Sequence, residues 1–478
     1  MAKFPVQKSK RDKLKKSKKG RISKSSKKPN GKARLIEKDD TFEDSIQSLS
    51  AKKKPSKVEL KMVIEALKKN PELTVVRKAL KYIPYYLKSE GLTKKILKEI
   101  IQLWAEASEQ IRVACLLCLI RLFTKLEDTE KRQAIATKLY NMFLGKCRVT
   151  KSENMSMIGF MRHSLVELYK IDPSVAFKQA QTSCNQLSVT LKNAYTHKNE
   201  ETYKTVLNWQ YANCLILLSR LITSHEENVQ IKSLTNQVIQ LNLGALNLMD
   251  SPRYLPFYCH LIENLICLGD SSRSFIPILP QIMRILDKLE VPLDKKKGES
   301  SEASKRNKKR RNGIKSSDID DDGDSEKSSL RSYEGEDDDG EEKMRAKKQY
   351  DMNLLNHVSL EETRSPEYNI AVLDKVHELL LVYLADQSPK IAFPELVLLP
   401  RVRIRKWLKK NPGQPTHKLK ALLDKINSDC DKVEEQRRHI DFAFTDFVAV
   451  DAWEKKLRDT GSLSLPRTAK QLENGNDK

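Results

Sequence analysis

Residues 208–223 read NWQYANCLILLSRLIT. Turned at about 100° per residue, Leu207, Tyr211, Cys214, Leu215, Leu218, Leu221 and Ile222 share one wide apolar face. Asn208, Ala212 and Ser219 form a narrow edge of small residues, where a neighbouring helix can approach closely. Trp209, Asn213, Ile216 and Arg220 make a second stripe nearly opposite the first. A helix with two such faces is either sandwiched between neighbours or presents one face to a partner. Tryptophan and arginine are enriched at interface hot spots. Trp209, Asn213 and Arg220 are therefore candidates for a partner surface. In the competing reading Trp209 packs on the chain's own next helix and Asn213 satisfies a loop carbonyl.

The same three- and four-residue spacing runs outward from this stretch. From Val58 to about Leu289, segments of roughly 12 to 20 residues repeat it, among them VELKMVIEALKKN, LTKKILKEIIQLWAEAS and IKSLTNQVIQLNLGALNLM. Strand-like alternation is essentially absent. Asn70-Pro71, Asp172-Pro173 and Asp250-Ser251-Pro252 have the form of helix starts with proline in the first turn. Gly269, after LIENLICL, has the form of a helix stop. The fold class expected is all-α. Short links between many helices of modest length point to an α-solenoid of divergent helix pairs of the HEAT or armadillo kind. No repeated consensus is visible, and a closed helical bundle is the alternative.

Composition divides the chain further. Up to Arg34 there are fifteen Lys or Arg and one acid, Asp12. Residues 1–56 therefore read as a disordered basic tail. It suits a nuclear or nucleolar address with loose RNA attachment, or a solubilising tail. Residues 57–290 form the N-terminal helical part. Residues 291–355 read as a disordered insert. It opens with KRNKKRRNGIK and continues with DIDDDGDSEKSSLRSYEGEDDDGEE, residues 318–342. Lys305, Arg306, Lys308, Lys309, Arg310 and Arg311 form a nuclear import patch. Residues 356–457 form the C-terminal helical part, and 458–478 a polar tail expected to fray.

The formal net charge is +24, a field that attracts polyanions. Only 6% of the residues are aromatic, too few for broad base-stacking platforms. The N-terminus lacks an apolar signal segment and no run reaches membrane-span length, so no membrane partner is expected. The eight cysteines are scattered through apolar patterns, as in a reducing compartment. Cys115 and Cys118 form a C-x-x-C, yet they lie among leucines with no second pair nearby, and read as buried helix positions.

Little in the sequence supports catalysis. The eight histidines are far apart. His163 with Glu167 and His260 with Glu263 have helical spacing, but no further ligands that would build a local metal site. No H-E-x-x-H, P-loop, G-x-G-x-x-G or G-x-S-x-G motif occurs. Fifteen glycines leave little material for phosphate-cradling loops. The expectation is a protein that is not an enzyme, with no catalytic residues, metal or cofactor.

The densest basic cluster is PRVRIRKWLKKN, with Arg401, Arg403, Arg405, Lys406, Lys409 and Lys410 around Trp407. Arginine pairs with phosphates in a bidentate manner, and tryptophan can stack on a base or pack in a core. These six side chains are the candidate RNA contacts, set against a merely solvated face.

Four segments resemble the nucleolar complex protein 2 family in order and spacing. They are Asn208 to Tyr211; Arg253, Tyr254 and Pro256 with Ile262 and Leu265; Phe275 to Pro280; and Ser388 to Leu396. The segment EEQRRHIDFAF also resembles the family's closing pattern. The resemblance covers roughly Lys151 to Glu454, and residues 58–150 match less clearly. It implies a non-catalytic assembly factor of the large ribosomal subunit, in nucleolus and nucleoplasm. It further implies partners among nucleolar complex protein 1-like and protein 3-like solenoids, pre-ribosomal RNA and pre-60S particles. Some animal relatives are linked to histones. The alternative expectation is thus a chromatin or histone adaptor or transcriptional corepressor, with the acidic run 318–342 holding histone tails.

Overall fold

The computed structural model describes residues 55–69, 71–248, 251–272, 275–289, 349–411 and 416–476. The import patch at 305–311 and the acidic run lie outside them. The chain divides into a unit of residues 1–59 and a body from Leu60 to Lys478. In the first unit, Ser56 and Glu59 form a reciprocal capping box: Ser56 N donates to Glu59 Oε2 at 2.5 Å and Glu59 N to Ser56 Oγ at 3.2 Å.

Every regular element among the described residues is helical. The first helices are α1 (Lys57–Lys69), α2 (Leu73–Lys81), α3 (Ile83–Tyr86), α4 (Glu90–Glu106), α5 (Glu109–Lys125), α6 (Thr129–Lys146) and α7 (Ser152–Ile171). Then come α8 (Pro173–His197), α9 (Glu200–Val206), α10 (Trp209–Thr223), α11 (Val229–Lys232), α12 (Thr235–Asn247), α13 (Leu255–Ser272) and α14 (Leu279–Lys288). After the gap in described residues follow α15 (Pro366–Gln387), α16 (Phe393–Lys410), α17 (His417–Arg437), α18 (Phe447–Asp459) and α19 (Ser464–Asn476).

Local chemistry sets the boundaries. Asp172 caps α8, accepting from Ser174 N at 3.1 Å and Val175 N at 3.2 Å, with Pro173 in the first turn. Its other oxygen takes Arg132 Nη1 at 2.8 Å and ties α6 to that cap. Gly269 does not stop its helix. The α13 backbone continues to Ser272, and the buried Leu265, Ile266 and Leu268 carry the packing across it. A helical glycine costs about 1 kcal/mol relative to alanine, less than that burial contributes.

Helices α5, α7, α10, α13 and α15 lie side by side, each touching the next. Helix α8 packs on α6, α7 and α12, while α14 packs on α15 and α16. Helix α13 is buried almost all round, through Phe257, Tyr258, Cys259, Leu261, Ile262 and Leu265, as a helix apolar on every side requires. Cys115 and Cys118 face the core on α5, where burial pushes the Cys115 thiol up to about 12 and raises that of Cys118 as well.

Two segments differ from expectation. Residues 349–358 pack over the core: His260 Nε2 lies 2.9 Å from Leu355 O, and Asn356 Nδ2 donates to Leu207 O at 2.9 Å. Val358 N donates to Arg253 O at 3.0 Å, and Met352 is buried. The charged insert expected at 291–355 thus ends in a strap that meets the Leu207 and Arg253 backbone carbonyls, just ahead of α10 and α13, and the His260 side chain of α13. The polar tail expected from 458 instead contains α19, seated on α15 and α17 through Leu463 and Leu465. Asp429 of α17 caps it from outside. This wholly buried carboxylate accepts from Ser464 N at 2.7 Å, Ser464 Oγ at 2.8 Å and Leu465 N at 2.9 Å. A polar sequence pattern conceals such a helix, because the capping residue is supplied 35 positions upstream.

Candidate nucleic-acid and partner interface

Helix α16 turns Phe393, Val397, Ile404 and Trp407 inward. Trp407 is only 5% exposed and is unavailable as a stacking platform. Its burial against the core forces the charged positions between and after these residues outward. Arg403, Arg405, Lys406, Lys409 and Lys410 are exposed, while Arg401 is half-buried with its Nε enclosed and without a hydrogen-bond partner. Arg403 Nη1 lies 3.8 Å from Asp287 Oδ2, and Arg405 Nη2 donates to Asn427 Oδ1 at 3.4 Å. Lys406, Lys409 and Lys410 make no ion pair among the described residues. The six basic side chains thus share one exposed helix, with Arg401 set deepest. Pro400 lies inside the helix; it removes one backbone donor, and its ring is buried.

Beside this face lies an apolar groove of about 210 Å³ lined by Phe275, Pro277, Pro280, Leu396, Leu399 and Arg403, among others. Phe275 is 63% exposed and Leu399 72%. Two segments more than 100 positions apart in sequence, FIPILP and IAFPELVLLPR, meet here.

The stretch 208–223 is more closely packed than its pattern suggests. Asn208 is the N-cap of α10, accepting from Tyr211 N at 2.9 Å. Its Nδ2 donates to Lys204 O and Thr205 O, both at 2.8 Å, and so closes α9 as well. The capping role was not visible in the sequence, where Asn208 reads as part of a small-residue edge. Trp209 is half-buried, its indole 4.8 Å from the His260 imidazole of α13, ring centre to ring centre. Asn213 is buried and donates to Trp209 O at 2.9 Å, within its own helix. Arg220 is exposed. The second stripe therefore divides: Trp209 and Asn213 serve packing, and Ile216 and Arg220 line a cleft.

That cleft measures about 360 Å³ and lies across α7, α10, α13 and α15. Arg162 enters it from α7, and Glu263 and Glu378 from α13 and α15. Lys375, buried on α15, joins both carboxylates, with Nζ 2.5 Å from Glu263 Oε1 and 3.2 Å from Glu378 Oε1. Burial alone would raise the Glu263 carboxyl, but His260 and Lys375 hold it below its usual value. The sequence signal for this cluster was a lysine inside the apolar run IAVLDKVHELLLVYL. A buried lysine needs a counter-charge.

The histidines do not converge. His225 bonds Leu221 O and Ser224 Oγ at 2.9 Å, and His163 bonds Gly159 O at 3.0 Å. Among the described residues no group of three His, Cys, Asp or Glu is placed to hold a metal ion, and no helix is long and apolar enough to cross a membrane. The arrangement offers surfaces for binding.

Comparison with known proteins follows the same segments. A sequence profile described as the Noc2p family matches residues 130–465, from α6 into α19. Nucleolar complex protein 2 of Drosophila melanogaster is 27% identical over 372 residues, covering 77% of this chain and 42% of the relative. Protein REBELOTE of Arabidopsis thaliana is 23% identical over 363 residues, covering 76% and 52%. Nucleolar complex-associated protein 2 of the same plant is 21% identical over 403 residues, covering 84% and 46%. The chain thus spans about half the length of these curated relatives.

Proposed function

The chain belongs to the Noc2p family, and from that premise we propose that it is a non-catalytic scaffold of large-subunit ribosome assembly, resident in nucleolus and nucleoplasm. In this reading its stacked helices form an α-solenoid of divergent HEAT-like pairs. They hold pre-ribosomal RNA on pre-60S particles and dock a nucleolar complex protein 1-like or protein 3-like solenoid. The names of the relatives support the nucleolar setting. The observation that carries the RNA contact is the outer face of α16, where Lys406, Lys409 and Lys410 stand exposed without a facing acid. Unneutralised cations on a rigid helix are what a phosphate backbone displaces its counterions to meet.

The test is sedimentation of the tagged full chain with large-subunit precursors, followed by cross-linking to RNA. Co-migration at low salt, loss at high salt and adducts on α16 are expected. A chain that stays free of intact precursors at low salt would overturn the reading.

A further inference from the structure

The lining of the cleft across α7, α10, α13 and α15 carries charges of both signs. Arg162 and Arg220 supply the positive ones. Arg162 is half-buried, and its Nε is shut from solvent with no hydrogen-bond partner. Neither guanidinium has an ion pair among the described residues. Burial lowers the Arg162 pKa, and the neighbouring Arg220 charge acts in the same direction. Arginine does not escape such a position by losing its proton. Two positive charges therefore line one cavity without a direct ion pair, one of them partly stripped of water. Glu263 and Glu378, in the same lining, share the single buried ammonium of Lys375, leaving an excess of negative charge. The apolar part of the lining is Ile216, Ile266, Leu379 and Val382, beside the polar Ser219, Thr223 and Asn264.

We propose that this cleft receives an acidic side chain, Asp or Glu, presented on a helix of a protein partner and held by Arg162 and Arg220. The proposal rests on the reading above that the chain docks a second helical protein, and it names the site and the chemistry. A carboxylate matches the guanidinium fork in geometry and charge. It also supplies the acceptor that the enclosed Arg162 Nε lacks, and an unmet buried donor is costly. The apolar walls suit the methylenes of the incoming residue and its helical neighbours. The two carboxylates disfavour nucleic acid, because a phosphate backbone entering the cleft would meet Glu263 and Glu378 as well as the arginines. A partner helix can instead place a lysine or arginine there, one turn from its acid.

The experiment uses the full chain carrying p-benzoylphenylalanine at Val382 and, separately, at Thr223, both lining the cleft. Cross-linked material is identified by mass spectrometry, and the captured partner is then purified and its affinity measured. The expected adduct is a helical protein segment containing Asp or Glu. Arg220→Glu should then weaken the complex at least about tenfold, a size typical for one desolvated charge pair. Replacing the partner's acid with Lys should restore binding to Arg220→Glu alone. Arg220 is exposed, so its reversal leaves the fold intact; Arg162→Lys should give a smaller loss. Adducts to RNA, no adduct at either position, unchanged affinity of Arg220→Glu, or a loss that no partner charge reversal restores would each overturn the proposal. If the swap succeeds with a partner absent from ribosome precursors, the assembly reading fails and the site stands. If the chain sediments with precursors but the cleft captures nothing, the site alone fails.

Discussion

Trp209 at the start of α10 packs its indole on the imidazole of His260 in α13, at 4.8 Å between ring centres and a 43° tilt. His260 in turn bonds Leu355 O at 2.9 Å. One aromatic contact thus joins two neighbouring helices to the strap that returns after the gap in described residues. Trp209→Ala should lower stability by about 2 kcal/mol, below the 3–5 kcal/mol of a fully buried tryptophan because this one is half-buried. Thermal melting by circular dichroism checks it. Unchanged melting with lost partner binding would instead make Trp209 an interface residue.

Asp429→Ala removes the acceptor for Ser464 N, Ser464 Oγ and Leu465 N at once. Buried donors left unmet cost about 1–3 kcal/mol each, so α19 should detach before the rest unfolds. Limited proteolysis reads this out. New cleavage between α18 and α19 is expected in the variant, and an unchanged digest would show that Leu463 and Leu465 hold the helix unaided.

Asp270 of α13 should make stability depend on pH. Partial burial of the carboxyl, on a residue that is otherwise exposed, with the Asp386 carboxylate as the next cause, pushes its pKa up to about 6, against the opposing charges of Lys390 and Arg458. An unfolded aspartate releases its proton near ~3.9. Between these values the folded chain binds more protons than the unfolded one, so stability falls as pH rises from about 4 to 6. Asp270→Asn should melt higher than the natural chain at pH 7.5 and no higher at pH 4. An equal gain at both values would exclude titration as the cause.

Reversing Lys406, Lys409 and Lys410 to Glu together should weaken RNA association strongly and leave melting within about 1 °C, since exposed charges contribute little to stability. Each phosphate contact removed should flatten the salt dependence by about 0.7–0.9 in log–log slope. Filter binding across a salt series measures this. A large loss of helicity would instead show that the charges matter to the fold.

Arg162→Met should raise the melting temperature by about 2 °C in the isolated chain. It removes an unmet buried donor and keeps the volume of the stem. Calorimetry checks the sign. A fall would mean that Arg162 has a stabilising partner within its own chain.

The helices were legible because their signals are local. Spacing of three and four residues named Tyr211, Cys214, Leu215 and Leu218 as one buried face, and Asp172-Pro173 marked a helix start that the cap geometry bears out. Two other boundaries were missed. Asn208 splits an apparently continuous apolar run into α9 and α10 by capping locally, and α19 depends on the distant Asp429. The basic cluster of α16 was also legible, but its tryptophan was not. The sequence left Trp407 open between stacking on a base and packing in a core, and the packing of α16 turns it inward with Ile404.

Sequence by itself determined the all-helical class, the charged segments and the motifs on which family membership rests. These depend on side chains within a few turns of one another, where 3.6-residue periodicity and capping act. Only the tertiary structure decided that Arg162 and Arg220 line one cleft with Glu263 and Glu378, the two carboxylates that share Lys375. It alone divided the stripe Trp209, Asn213, Ile216 and Arg220 into a packed half and an open half. The physical reason is that burial and counter-charge are properties of neighbours in space. An arginine's partner, or its lack of one, is set by helices that pack beside it and not by the residues that precede it.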